Sequence, residues 1–234
     1  MLLSALAMDL CLSLILSPAG FGQSRDKPGA GAGRTIDQVI AVVDAAAITQ
    51  SDVETEYRTE LFLEEGRVPP KVPDAETFFH VLDRLIDQKL LTEEAAAAEQ
   101  KDSATLQGRA QQILANLRRR FPAEEAFQAA LRSLGLNEHD LLAKIEEQER
   151  ILRIVDQRLR PLVSVEPDEI EAYYQKTFLP EWAKKSKEGA PALAEVEDQI
   201  QEILVQKKID QQLEVWLKEL RTAHRVRQTG TVSH

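Results

Sequence analysis

Through most of the chain between residues 52 and 223, apolar residues recur at steps of three and four, and Gly or Pro separates many of the runs. That spacing is the period of an amphipathic helix, and it does not suit a half-buried strand, which alternates. Asp74 caps a helix predicted over 75–100, with Phe79, Leu82, Ile86 and Leu90 along one face. Before it, Ser51 and Glu54 read as a capping box for a helix over 52–65, which Gly66 and three prolines up to Pro73 then break. A helix over 104–120 follows. Pro122 suits the first turn of the next one, and Gly135 suits its end. Asn137 caps a fifth helix striped with Leu141, Ile145, Leu152, Val155 and Leu159, which Pro161 terminates. Pro167 opens a helix carrying Ile170, Tyr173 and Tyr174, and residues 179–190 read as a loop with loose helical character. The last helix, over 193–223, is roughly 45 Å long at 1.5 Å per residue. Its buried side is marked by Val196, Ile200, Ile203, Leu213, Trp216 and Leu220.

Strand signals are confined to the ends. Val39 to Val43 is β-prone, residues 44–47 can turn it, and Ile48-Thr49 can return; Val226 suits a last short strand. The expected fold is therefore mainly α: an irregular multi-helix bundle with a short N-terminal β-hairpin, completed by a long C-terminal helix. Composition agrees. With 43% hydrophobic and 29% charged residues the chain can build a core, and its low aromatic share beside abundant Ala, Leu, Glu and Gln favours helix.

A net charge of −10 argues against nucleic acid as a partner, because phosphate binding needs clustered Lys and Arg. The compact basic run Arg118-Arg119-Arg120 falls near a helix C-terminus, where the dipole favours cations. At the N-terminus, Leu10 to Leu16 is an apolar run followed by Ser17, Pro18 and small residues, with Gly20-Phe21-Gly22 as a cleavage site. Residues 1–22 resemble a signal peptide, although no Lys or Arg precedes the run and Asp9 interrupts it; the start could equally be Met8 or lie upstream. Residues 23–34 read as a flexible tether. Cys11, the sole cysteine, lies in the leader and outside a good lipobox. The mature chain then offers no disulfide, thiolate ligand or thiol nucleophile. No later stretch is apolar enough to span a bilayer, so the expectation is an exported, periplasmic protein without a stable membrane span.

Catalytic constellations are sparse. Glu76 and His80 lie one helical turn apart with Asp83 near, a weak metal arrangement that an amphipathic helix with a boundary histidine explains better. His139-Asp140 falls in a first helical turn, where the carboxylate favours the dipole. Glu64-Glu65 and Glu146-Glu147 are adjacent on helices and therefore diverge. Metalloprotease, nucleophile-elbow and phosphate-loop motifs are missing.

The order of segments resembles the SurA family of periplasmic chaperones. The resemblance rests on Ile36 to Val43 with Ile48 to Val53, on Leu82 to Leu91, on Leu131 to Leu136, on Val163 to Tyr174 and on Val196 to Leu220, five pieces in the family's order across residues 36–226. Two departures stand out. Asp44-Ala45-Ala46 replaces the Asn-Gly on which the family's hairpin usually turns. In the family, one or more parvulin-type prolyl isomerase domains lie between the Tyr-Tyr helix and the last helix; here only residues 175–194 separate them, against the roughly 50 residues of a small domain.

The resemblance thus implies a SurA-N-like chaperone domain over 35–234 without an isomerase. Its parts would be a helical core over 35–174, a loop over 175–194, and a C-terminal helix over 195–234 packing back on the core. It implies a non-enzymatic, ATP-independent holdase for unfolded exported or outer-membrane polypeptides, with no cofactor, metal or catalytic residue. A helical assembly module gripping one folded partner is the alternative, and an isomerase the remote one. Long amphipathic helices also allow a homodimer. Such a chaperone needs exposed apolar anchors ringed by polar groups. The candidates are Tyr57, Phe62, Phe78, Phe79, Phe121, Phe127, Tyr173, Tyr174 and Trp182, each of which could instead be core.

Overall fold

The computed structural model describes residues 37–66, 68, 72–97, 103–186 and 189–229. The leader and tether expected over 1–22 and 23–34 lie outside the described residues. The fold is mainly α, as its periodicity predicts. Strands β1 (Val39–Val43) and β2 (Ala46–Thr49) form the hairpin, and β3 (Val226–Gln228) pairs antiparallel with the other edge of β1, giving the order β2-β1-β3.

The hairpin turn works without Asn-Gly because Asp44 itself takes a left-handed backbone, φ 50°. Aspartate visits that region more readily than most residues. Its N–H donates to the Arg225 carbonyl at 3.0 Å, and its Oδ1 accepts from the Arg225 N–H at 2.9 Å. The turn and the start of β3 therefore hold each other.

Eight helices follow the hairpin among the described residues: α1 (Gln50–Glu65), α2 (Ala75–Ala97), α3 (Ser103–Arg118), α4 (Glu124–Leu134), α5 (Glu138–Leu159), α6 (Pro167–Tyr173), α7 (Leu179–Lys185) and α8 (Leu193–Ala223). The expected cap at Ser51 is not the cap. Strand β2 ends at Thr49 and the helix starts at once, so Thr49 and Asp52 form the capping box, with Thr49 N–H donating to Asp52 at 2.9 Å. Ser51 instead hydrogen-bonds Asp37. Asp74 caps α2 and Asn137 caps α5 as expected, the latter through a reciprocal bond pair with Asp140. Gly66 and Gly135 close α1 and α4 with φ of 68° and 73°, the left-handed conformation that glycine adopts freely. Pro122 lies two residues ahead of α4 and not within its first turn.

The basic run lies at the C-terminus of α3 as expected, with Arg118 in its last turn, and also serves a second helix end. Arg120 reaches across to the C-terminus of α1, where its Nη1 donates to the Glu64 carbonyl at 2.8 Å and the Leu63 carbonyl at 3.2 Å. It thus satisfies carbonyls that a helix end leaves without partners.

Three apolar clusters organise the chain. The largest joins β1 and β2 to α2, the end of α5 and the second half of α8, around Ile40, Val43, Ile86, Leu90, Val155, Ile209 and Trp216. The second joins the end of α1 to α3, α4 and α5 around Phe62, Leu114, Phe127, Leu131, Leu141 and Ile145. The third is small: Ile170 of α6 meets Val196 and Ile200 of α8. Helix α8 therefore completes the core along one half and carries a separate cluster along the other. Ile203, expected to be buried, is exposed; Ile209 and Leu217 are buried in addition to the predicted set. Leu152 is only half-buried.

Residues 175–185 are not a loop. A π turn over Tyr174–Phe178 joins α6 directly to α7, with the Leu179 N–H donating to the Tyr174 carbonyl. Pro180 follows at once. Its ring excludes the carbonyl four residues back and it offers no N–H, so ordinary helical bonding fails there. A widened turn just before it lets the helix continue.

Candidate functional site

The nine candidate anchors separate into two groups. Phe62 and Phe127 are fully buried and Phe78 nearly so. These three are core side chains and present no apolar surface. Phe121 is half-buried against the same aromatic centre, its ring 5.7 Å from Phe62 and 5.4 Å from Phe127. Tyr57 is half-buried against the sheet-centred cluster. Phe79 remains exposed, edge-on to Phe78 at 5.9 Å.

The remaining three converge along one continuous rod. Tyr173, Tyr174 and Trp182 lie on α6, the π turn and α7, all half-buried. Phe178, which was not among the candidates, completes them. Tyr174, Phe178 and Trp182 stack in series, with centroids 5.6 Å and 5.8 Å apart and ring planes within 17° and 24°. Their spacing of four residues puts them on one helical face. The spacing was visible in the sequence, but it carries no meaning until residues 175–185 are read as helix.

Hydrogen bonds and ion pairs anchor this rod beside the first half of α8. The Tyr174 hydroxyl donates to the Pro191 carbonyl at 2.8 Å, just ahead of α8. At the other end, Lys208 Nζ donates to the Ser164 carbonyl at 2.5 Å and pairs with Glu169 at 2.7 Å. These contacts make the two helices antiparallel. Arg160 binds Glu202 at 2.8 Å and Asp156 at 2.6 Å. Hydrogen bonds from Lys208 and Arg160 hold the Glu169 and Glu202 carboxyls below their ordinary range. Burial, with help from the Glu181 charge, pushes the Tyr173 hydroxyl up. Glu171, Lys176, Glu181, Lys184 and Lys185 are exposed around the ladder, giving it a mixed-charge rim.

The sequence-marked catalytic candidates do not assemble. Glu76 and His80 sit 3.9 Å apart, both exposed, but Asp83 turns to Arg221 at 3.5 Å and to Gln228 at 3.3 Å. Asp140 is committed to capping Asn137, and Glu147 accepts from Thr92 at 2.8 Å. A different group does converge: Asp44 of the hairpin turn, Glu93 of α2 and His224 after α8, whose ligand atoms all lie within 4.8 Å of one another. His224 Nδ1 is 2.6 Å from Asp44 and 3.4 Å from Glu93. Its pKa is raised, chiefly by the hydrogen bond to Asp44. Asp44 is lowered by the Arg225 N–H first and His224 second.

Among the described residues no helix is long and apolar enough to cross a membrane. No family model and no curated protein matches the chain.

Proposed function

We propose that the chain is an exported, ATP-independent holdase that binds unfolded polypeptides, outer-membrane proteins in transit among them, without covalent chemistry. The observation that supports this most is the half-exposed ladder Tyr174–Phe178–Trp182. Flat aromatic faces give apolar contact with little side-chain entropy to lose and no demand for a particular client sequence. The ladder stands where the SurA-like resemblance would place an isomerase, so a client-contacting rod would replace a catalytic insertion. Phe79, exposed on α2, supplies a second apolar contact. The surrounding charges keep the surface soluble, and the net negative charge selects against acidic clients.

Light scattering of a chemically unfolded β-barrel membrane protein, diluted into buffer with the purified chain, tests the reading. Suppressed aggregation at several-fold molar excess is expected, and substantially less suppression with Phe178→Ala or Trp182→Ala. Unchanged aggregation sinks the holdase reading. A pull-down that instead returns one stoichiometric folded partner supports the assembly-module alternative, and acceleration in a proline-isomerisation assay would revive the isomerase.

A further inference from the structure

We infer that Asp44, Glu93 and His224 form a surface binding site for a divalent transition-metal cation such as Zn²⁺. The ligand atoms come from three separate segments: the hairpin turn, α2 and the residue after α8. Each offers a suitable atom, and one imidazole nitrogen with two carboxylates is a set that borderline cations accept and Mg²⁺ or Ca²⁺ do not prefer. The geometry is pre-oriented. Asp44 is held through both its N–H and its Oδ1 by the Arg225 backbone, which leaves Oδ2 aimed at His224. Outer hydrogen bonds of this kind orient a ligating carboxylate.

Asp44 and Glu93 are exposed, so water can complete the coordination shell. In binding, Nδ1 gives its proton to solvent and takes the metal in its place, while the Asp44 and Glu93 carboxylates move from hydrogen-bonding distance to ligation. The ion would link the first hairpin to the end of α8, bridging residues 180 positions apart in sequence.

Calorimetric titration of the untagged full chain with Zn²⁺, and separately with Mg²⁺, tests the site. Expected are saturable binding of a single Zn²⁺ per chain and a far weaker Mg²⁺ response. His224→Asn keeps a donor near Asp44, and Asp44→Asn keeps both the left-handed turn and the acceptor for Arg225; each is expected to weaken Zn²⁺ binding about tenfold or more. Glu93→Gln is expected to weaken it less, and His80→Asn, at the exposed Glu76–His80 pair, not at all. Imidazole nitrogen resonances give an independent readout, in which Zn²⁺ should shift His224 before the other histidines. Absence of saturable binding, binding unchanged in His224→Asn, or a first shift at another histidine overturns the assignment. Circular dichroism checks the variants, and should Asp44→Asn unfold, His224→Asn and the imidazole spectrum decide alone.

Discussion

The two halves of α8 face different surroundings. Its second half, from Ile209 to Leu220, is gripped by the sheet, α2 and α5, with the Arg158 guanidinium 4.4 Å over the Trp216 ring. Its first half, around Val196 and Ile200, packs against the α6–α7 rod, where the shared cluster has a single buried residue from the rod, Ile170. One continuous helix thus runs from a region with a deep core into one with a shallow core. Regions with few buried apolar contacts open at lower free energy than the body they belong to. The rod carries Tyr173, Tyr174, Phe178 and Trp182, all half-buried, so a shallow core and accessible aromatic surface coincide there.

Truncating one side chain in each region breaks this comparison most sharply. Phe62 is fully buried between Phe121 and Phe127, and Phe62→Ala should cost about 3–5 kcal/mol and lower the global denaturation midpoint. Ile200 is equally buried, yet Ile200→Ala should cost about 2 kcal/mol, the low end for such a change, because the shallow cluster can collapse around the gap. The chain's two tryptophans separate the outcomes, since Trp182 stands in the rod and Trp216 in the body. In single-tryptophan variants, Ile200→Ala should shift the Trp182 transition and leave that of Trp216 nearly in place. If both move together, the rod and body are one cooperative unit.

A smaller effect is expected at the π turn. Replacing Pro180 by Ala restores an N–H and removes the ring, so the reason for the widened turn disappears. The segment should relax toward regular α-helix, changing the rotation between Tyr174 and Phe178, the ring pair that spans the turn, and so disturbing their stacking. Near-ultraviolet circular dichroism would register the loss of stacking while far-ultraviolet helix content stays constant or rises slightly. An unchanged aromatic signal would mean that the stacked rings, and not the proline, impose the turn.

Much of the fold was legible because local rules and tertiary packing agreed. Asp74, Asn137 and Gly135 mark helix ends by chemistry that acts within a few residues, and the structure puts them there. The errors came where a distant partner decided. Ser51 looks like a cap, but the strand ending at Thr49 moves the helix start. Ile203 fits the buried stripe until α8 changes neighbours along its length. One error, by contrast, was local: residues 179–190 read mainly as loop, but the π turn just before Pro180 lets helix run on to Lys185. Of the anchors, sequence named Tyr174 and Trp182 but not Phe178, which links them. It also gave no hint that Asp44 and His224 meet, because that contact depends on how α8 returns to the hairpin.

The gentlest way to separate the two regions is pH, because the body holds two buried acids shifted up, Glu60 and Asp87, beside surface acids shifted down (Asp37, Asp44 and Asp74), whereas the shifted carboxylates in and beside the rod, Glu169 and Glu202, are both lowered. In and beside the rod, Glu169 and Glu202 sit below the ordinary carboxylate range, each held mainly by its hydrogen bond to Lys208 or Arg160. A lowered carboxyl adds stability above its unfolded pKa and loses it as pH falls through the folded value. In the body, Glu60 and Asp87 are pushed up by burial, which outweighs their Arg84 and Arg221 partners. A raised carboxyl behaves oppositely: its contribution is present below the unfolded pKa and disappears as pH rises through the folded value. Acidification from neutrality to below about pH 4 should therefore weaken the rod's attachment to α8, while in the body the gain from protonating Glu60 and Asp87 offsets the losses at Asp37, Asp44 and Asp74. All the rod's pairs are solvent-accessible, so the change is small and should shrink further in high salt. Amide exchange across this range should show protection lost first at residues 167–185 and in the first half of α8. If α2 loses protection before the rod does, the buried acids, and not the surface pairs, govern the acid response.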